Sequence, residues 1–192
     1  NGILPLLDYE AIAESRAVFW GYSDLTAVIN ALYAKTGKAS VLYQARNLVL
    51  EEGRRQREAF LGRGGFFDFE YRFIQGSEMA GTAVGGNLRC LLKLAGTPYF
   101  PDMRGKLLVL EAMGGSAARI GSGMAQLSQM GVFEQVNGIL LGTFLEMEAK
   151  DGPSPEELIL EYAGNRIPVA KTSMLGHRPD SCALVIGRRL GL

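Results

Sequence analysis

Short apolar runs alternate along this chain with segments whose apolar residues recur every three or four positions. That is the pattern of strands interleaved with helices, an α/β arrangement. Ala17 to Trp20 reads as a strand, and Leu25, Val28, Ile29 and Leu32 mark the buried stripe of a helix from Asp24 to about Gly37. A second helix is expected over 47–61, with Glu51, Glu52, Arg54, Arg55, Arg57 and Glu58 on its solvated side. Gly62 to Gly65 forms a turn-rich break and a candidate linker. Phe69 to Ile74 then reads as a strand, and Gly85-Gly86-Asn87 opens a helix running to Gly96. Lys106 to Glu111 is a buried strand ending in a carboxylate. Ala117 to Met130 is a helix with one apolar stripe, and Gly138 to Phe144 a further strand. Ser154 with Glu157 makes a capping-box signature ahead of a helix to about Tyr162. Ile167–Ala170 and Ala183–Ile186 complete the set as short strands.

Composition narrows the classes. At 192 residues, 47% hydrophobic and 21% charged, the chain has material for a folded core. Lys+Arg and Asp+Glu balance at 20 each, which removes the electrostatic case for nucleic acid or an anionic membrane as partner. No apolar run approaches the roughly 18 residues of a membrane helix. Cys90 and Cys182 stand far apart with no CxxC spacing, so free thiols in a reducing, cytoplasmic compartment are expected rather than a disulfide. One histidine and two scattered cysteines offer no soft metal site, and no cofactor is expected. Asn1-Gly2 runs straight into apolar residues with no signal-peptide pattern, so the sequence is expected to be a fragment of a longer protein.

Three residues at element ends carry candidate chemistry. Ser23, in Gly21-Tyr22-Ser23-Asp24, stands where a strand gives way to a helix, whose unpaired N–H groups favour a developing oxyanion. Gly21 suits a sharp turn there, although Leu25 occupies the second glycine position of a G-x-S-x-G elbow. Helix capping alone is the competing account of this serine. Glu111 ends a buried strand, where α/β proteins build sites, yet a strand-terminal Glu also serves solubility. His177, the sole histidine, sits in a Gly-, Pro- and Asp-containing loop, as either a base or a surface residue. Together they give an order of nucleophile, acid and base. Gly81 to Asn87 reads as a phosphate-cradling loop without the P-loop lysine, as a close-approach surface for substrate at Gly85, Gly86 and Asn87, or as a plain helix start.

Several segments taken in order resemble the LD-carboxypeptidase family of serine peptidases. They are Leu6-Leu7-Asp8-Tyr9, Gly21-Tyr22-Ser23-Asp24, Gly85-Gly86-Asn87-Leu88, Gly96-Thr97-Pro98-Tyr99 and Leu108-Val109-Leu110-Glu111. Ala125-Gln126-Leu127, Gly138 to Gly142 and Gly176-His177 continue the series. The family includes muramoyltetrapeptide carboxypeptidases and the hydrolases that give immunity to microcin C.

The resemblance implies a nucleophile at Ser23, an acid at Glu111, a base at His177, and one oxyanion donor from the backbone N–H of Asp24. A second donor is expected from a glycine-rich loop upstream of Asn1. The implied fold has two α/β domains. Residues 1–65 would be the C-terminal part of a Rossmann-like N-terminal domain whose sheet is mostly missing, carrying the serine and a linker. Residues 66–192 would be a C-terminal domain carrying Glu111 and His177. The implied activity is release of terminal D-alanine from murein tetrapeptides across an L–D bond in peptidoglycan recycling, by a cytoplasmic homodimer whose partner is a small muropeptide. Hydrolysis of a microcin-type aminoacyl nucleotide, with Phe66, Phe67 or Tyr71 stacking a base, is the alternative. A non-catalytic, degenerate binding module is another. Departures from the family pattern at Ala112, Gly115, Arg119-Ile120-Gly121-Ser122 and Tyr43-Gln44-Ala45 bear on substrate choice.

Overall fold

Gly138–Phe144 is buried at every position, so this strand needs a neighbour along each edge and cover on both faces. The computed structural model, which describes residues 1–147 and 152–192, supplies both. The strand is β6 of a mixed six-stranded sheet in the order β3-β7-β6-β5-β4-β9. Its members are β3 (Arg72–Gln75), β4 (Ala80–Asn87), β5 (Lys106–Ala112), β6, β7 (Val169–Lys171) and β9 (Arg189–Gly191). The four inner strands β4 to β7 run parallel, while β3 and β9 close the two edges antiparallel.

Side-chain alternation divides the core into two layers. Leu108, Leu110, Ile139 and Leu141 pack on one face against α5 (Ala117–Gln129) and α6 (Pro155–Ala163). Leu107, Val109 and Leu140 point the other way, onto Ile29 of α2 (Thr26–Thr36) and onto Leu42, Leu184 and Ile186 of a second sheet. That sheet has three strands, β1 (Phe19–Gly21), β2 (Ser40–Leu42) and β8 (Leu184–Ile186). β1 and β2 are parallel, and β8 comes from far along the chain to pair antiparallel with β2.

The outer edge of β4 is completed by unlike groups in turn. β9 covers Ala80 to Thr82. Ala83 exchanges backbone hydrogen bonds with Arg188 and Gly187. Gly85 then donates its N–H to Asn30 Oδ1 and accepts from Asn30 Nδ2, both at 2.8 Å, and the Asn87 N–H donates to Thr26 Oγ1 at 3.1 Å. Asn30 and Thr26 are fully buried, so α2 docks on β4 through polar side chains that replace a missing strand.

Several elements match the sequence pattern closely. β6 has the anticipated bounds, α2 ends at Gly37 in the left-handed region (φ 69°), and the Ser154–Glu157 capping box is formed. Others differ. Residues 80–87 are a strand rather than a loop or helix start; only Asn87 caps a helix, α4 (Leu88–Leu92). Glycine at 85 and 86 hides the strand in the sequence, yet both are required. Their φ values are +107° and +126°, and a Cβ on Gly85 would stand 2.2 Å from the Val109 carbonyl oxygen.

The helix expected over 47–61 is broken into a 3-10 turn (Ala45–Val49), a short α3 (Arg54–Glu58) and a wide turn to Arg63. Gly53 abuts the Asn47 carbonyl so closely that a Cβ there would lie 1.8 Å away, and an extended Leu50 interrupts the helix. β2, β9 and α1 (Tyr9–Glu14, capped by Asp8) have no counterpart in the sequence reading.

Leu110→Ala, in the fully buried layer under α5, should cost about 2–5 kcal/mol. Leu61→Ala, at an exposed site, should stay within about 0.5 kcal/mol of the parent. Urea unfolding measures both, and equal costs would contradict this layering.

Candidate active site

The serine comes first in the chain and sits on the most unusual backbone. Tyr22 is extended (φ −154°), and Ser23 then takes φ 52°, the sole positive value outside glycine among the described residues. The chain folds at once into a 3-10 turn (Ser23–Leu25), closed by the Leu25 N–H donating to the Tyr22 carbonyl at 2.9 Å. The sharp turn anticipated at Gly21 therefore falls on the serine itself. Gly21 lies within β1, where the absent side chain makes room for α2: a Cβ would come 2.5 Å from Ile29 Cγ2. Ser23 makes no capping bond to the helix that follows. Its Oγ points instead to His177 Nε2, 3.2 Å away.

Glu111 reaches the same place through a register irregularity. Between Leu110↔Leu141 and Ala112↔Phe144 the β5–β6 pairing slips, so Gly142 and Thr143 together face Glu111. The extra residue frees the Thr143 N–H to donate to the Leu175 carbonyl at 2.8 Å, which draws the 174–182 loop over the end of the sheet. Gly176 crosses Thr143 so tightly (φ +130°) that a Cβ would lie 2.1 Å from Thr143 Oγ1. Ser181 Oγ donates to the Gly176 carbonyl and Asn47 Nδ2 to the Arg178 carbonyl, fixing the loop on both sides of His177.

His177 Nδ1 consequently lies 2.6 Å from Glu111 Oε2, with the two side chains only 6% and 2% exposed. A carboxylate can only accept, so this contact suits the tautomer with Nδ1–H donating to Glu111, which leaves the Nε2 lone pair facing the serine hydroxyl. The Tyr22 ring packs at 4.5 Å from the imidazole, centroid to centroid. Burial, and secondarily the nearby Glu111 charge, push the Tyr22 hydroxyl far above its ordinary pKa. Asp24 faces outward: hydrogen bonds from Lys93 and Cys90 hold its carboxyl down at about 2.

Ser23 opens onto a cavity of about 770 Å³ whose wall includes Asn87, Arg89, Gly115, Arg119 and Ser122. Asn87, beside Glu111 in the β4–β5 register, accepts the Cys90 N–H through Oδ1, which orients its amide. Gly85 and Gly86 do not line this cavity. Their close approach is to Val109 and Thr26 rather than to a ligand, because they carry the buried docking of α2. Of the positions expected to bear on substrate choice, Ala112, Gly115, Arg119, Ile120 and Ser122 lie on the wall, whereas Gly121 and Tyr43-Gln44-Ala45 do not. Arg89 and Tyr22 went unnoticed in the sequence. Arg89 stands two residues past Asn87, on the short helix that Asn87 caps, a spacing that would have flagged it once Asn87 was placed.

A buried carboxylate, an imidazole and a hydroxyl in hydrogen-bonded sequence, where β5 of the larger sheet and β1 of the smaller one end, define an α/β protein with a hydrolase-type site. The chain belongs to the LD-carboxypeptidase family: the family's C-terminal domain matches residues 80–192 and its N-terminal domain residues 1–44. A probable murein peptide carboxypeptidase of Bacillus subtilis is 26% identical over 97% of this chain and 63% of its own length. A muramoyltetrapeptide carboxypeptidase structure from Oxalobacter formigenes superposes with a TM-score of 0.76 at 26% identity, covering 96% of this chain and 68% of that one. The microcin C7 self-immunity protein MccF, in an inactive mutant apo state, gives 0.82 at 25% identity, with 98% and 68% covered. The chain spans 61%, 64% and 63% of the length of three curated carboxypeptidase relatives.

Ser23→Gly should be more stable than Ser23→Ala by about 1 kcal/mol, since only glycine adopts this backbone without strain. Urea denaturation of the two variants decides it; equal stability would mean the turn relaxes freely.

Proposed function

We propose that this chain is the catalytic part of a serine carboxypeptidase that removes the terminal D-alanine of murein tetrapeptides. The observation that carries the reading is the 3.2 Å and 2.6 Å succession from Ser23 through His177 to Glu111, opening onto a peptide-sized cavity. His177 takes the Ser23 proton as Oγ attacks the carbonyl before D-alanine. Glu111 stabilises the imidazolium that forms. The N–H of Asp24, in the first turn after the serine, donates to the oxyanion. The imidazolium then protonates the departing amine, and a water deprotonated by His177 hydrolyses the acyl-serine. On this account residues 1–65 bring the nucleophile and 66–192 the acid and base. The same proposal makes it a homodimeric enzyme of peptidoglycan recycling in the cytoplasm, where the free, buried thiols of Cys90 and Cys182 are at home. Among the described residues no helix is long and apolar enough to cross a membrane.

The microcin-type alternative draws support from MccF, whose structures include complexes with aspartyl sulfamoyl adenosine and glutamyl sulfamoyl guanosine. It asks for an aromatic platform in the pocket. Phe66 is buried among Trp20, Tyr43 and Phe60, and neither Phe67 nor Tyr71 lines the cavity, which favours the peptide. A degenerate binding module asks for Ser23 and His177 out of reach of each other, and 3.2 Å counts against it.

Ser23→Ala should lower D-alanine release from the tetrapeptide by about 10⁴-fold or more, and His177→Ala by a similar factor. The double variant should be no worse than either single one, because the two groups act as a unit. Release is followed by assaying free D-alanine, with an aminoacyl sulfamoyl adenosine as the competing substrate. Undiminished turnover by Ser23→Ala would sink the mechanism, and cleavage of the nucleotide alone would move the substrate to the alternative.

A further inference from the structure

A carboxypeptidase must tell a chain end from an interior peptide bond, and the chemical mark of that end is a carboxylate one carbon from the scissile nitrogen. A guanidinium close to the nucleophile suits that task, because it meets a carboxylate with two parallel charge-assisted hydrogen bonds. The cavity wall has two guanidiniums, Arg89 and Arg119, against a single acidic side chain, Glu146, among its described residues. The excess of positive charge suits an anionic ligand.

We propose that Arg89 is the specificity residue that binds the terminal carboxylate of the leaving residue. Arg89 follows Asn87 on α4 and lies with Nη2 3.5 Å from Oδ1 of Asp24, the neighbour of Ser23 in sequence. That distance ties the guanidinium to the residue after the nucleophile, and Arg89 and Ser23 line the same cavity. The pair with Asp24 is loose. The same carboxylate oxygen already takes Lys93 Nζ at 2.9 Å and Cys90 Sγ at 3.1 Å, so Arg89 is the third and most distant claimant on it. The charge of Asp24 thus keeps the guanidinium near the segment that carries the serine while leaving its planar N–H fork free to grip a carboxylate with two parallel hydrogen bonds. Its side chain is 70% exposed, on the wall that faces the ligand space. Arg119 enters from α5, where a Cβ on Gly115 would touch its Cδ at 3.4 Å, and has no tie to the segment that carries the serine. Lys93 is committed to Asp24 and is not part of the wall.

The assignment rests on the hydrolase reading for its choice of ligand, and its test separates the two. Binding is measured by calorimetry in the Ser23→Ala protein, which cannot turn over. The probes are a tetrapeptide ending in D-alanine and the same peptide as its C-terminal amide. The acid should bind about 10- to 100-fold more tightly than the amide, the worth of a hydrogen-bonded charge pair. Adding Arg89→Ala should bring the ratio near unity by weakening the acid alone. Arg89→Lys should fall between, since an ammonium keeps the charge and loses the fork. Arg119→Ala should leave the ratio as it was.

An unchanged ratio in Arg89→Ala, collapse of the ratio in Arg119→Ala, or no binding of either peptide overturns the assignment. Fluorophosphonate labelling of Ser23 in Arg89→Ala alone reports on the nucleophile separately. Wild-type labelling with no preference for the acid sinks only the carboxylate subsite. Absent labelling, with an acid preference that Arg89→Ala abolishes, sinks only the hydrolase and supports the subsite.

Discussion

The molecule turns on how α2 meets the open edge of β4. A parallel strand that ends without a neighbour leaves buried N–H and C=O groups that must be paired. Beyond the reach of β9, the groups of Gly85 and Asn87 are answered by Asn30 and Thr26. Those side chains belong to the helix that begins just after Ser23. The polar requirement of the strand edge therefore sets where the serine stands relative to β5, whose Glu111 pairs in register with Asn87. Loss of the Asn30 amide would leave two backbone groups of Gly85 buried and unpaired.

On that frame the hydrogen-bonded series of side chains depends on three departures from regular backbone. Ser23 is driven into the left-handed region, β6 takes up an extra residue opposite Glu111, and Gly176 passes Thr143 with no room for a side chain. Each departure re-aims one side chain toward the same point. The strain at Ser23 is held by the 3-10 turn behind it and by β1 packed beneath α2. Reactive groups held this way are oriented before any ligand arrives, which is what an electrostatically preorganised site requires.

Much of this was legible in the amino-acid pattern. The continuous apolar run Gly138–Phe144, the stripe of α5 and the Ser154 capping box are local signals, and the structure forms each of them. Ser23, Glu111 and His177 stood out because each falls where an element ends, but nothing local revealed that they meet. Their convergence depends on β8 pairing with β2 and on the β6 irregularity, which are properties of distant residues. β4 was hidden because its glycines serve close backbone approach and read as a loop. The helix expected over 47–61 failed because charge patterning says nothing of the Asn47 carbonyl pressed against Gly53. Arg89 escaped notice since an exposed arginine on a short helix is unremarkable until its neighbour Asp24 is seen to be oversubscribed.

The pairing of β8 with β2 has a consequence for biosynthesis. A ribosome adds about 5–20 residues per second, so β1 and β2 emerge well before the strand that covers β2. For several seconds or more the edge of β2 that β8 pairs stands open, although α2 already covers one face of β1 and β2, and the nascent chain is open to aggregation or to holding by a chaperone. The serine is translated before its carboxylate partner, and the imidazole comes last of the three. Assembly order alone keeps the hydroxyl without a base while synthesis is under way, an inactivity that needs no inhibitor.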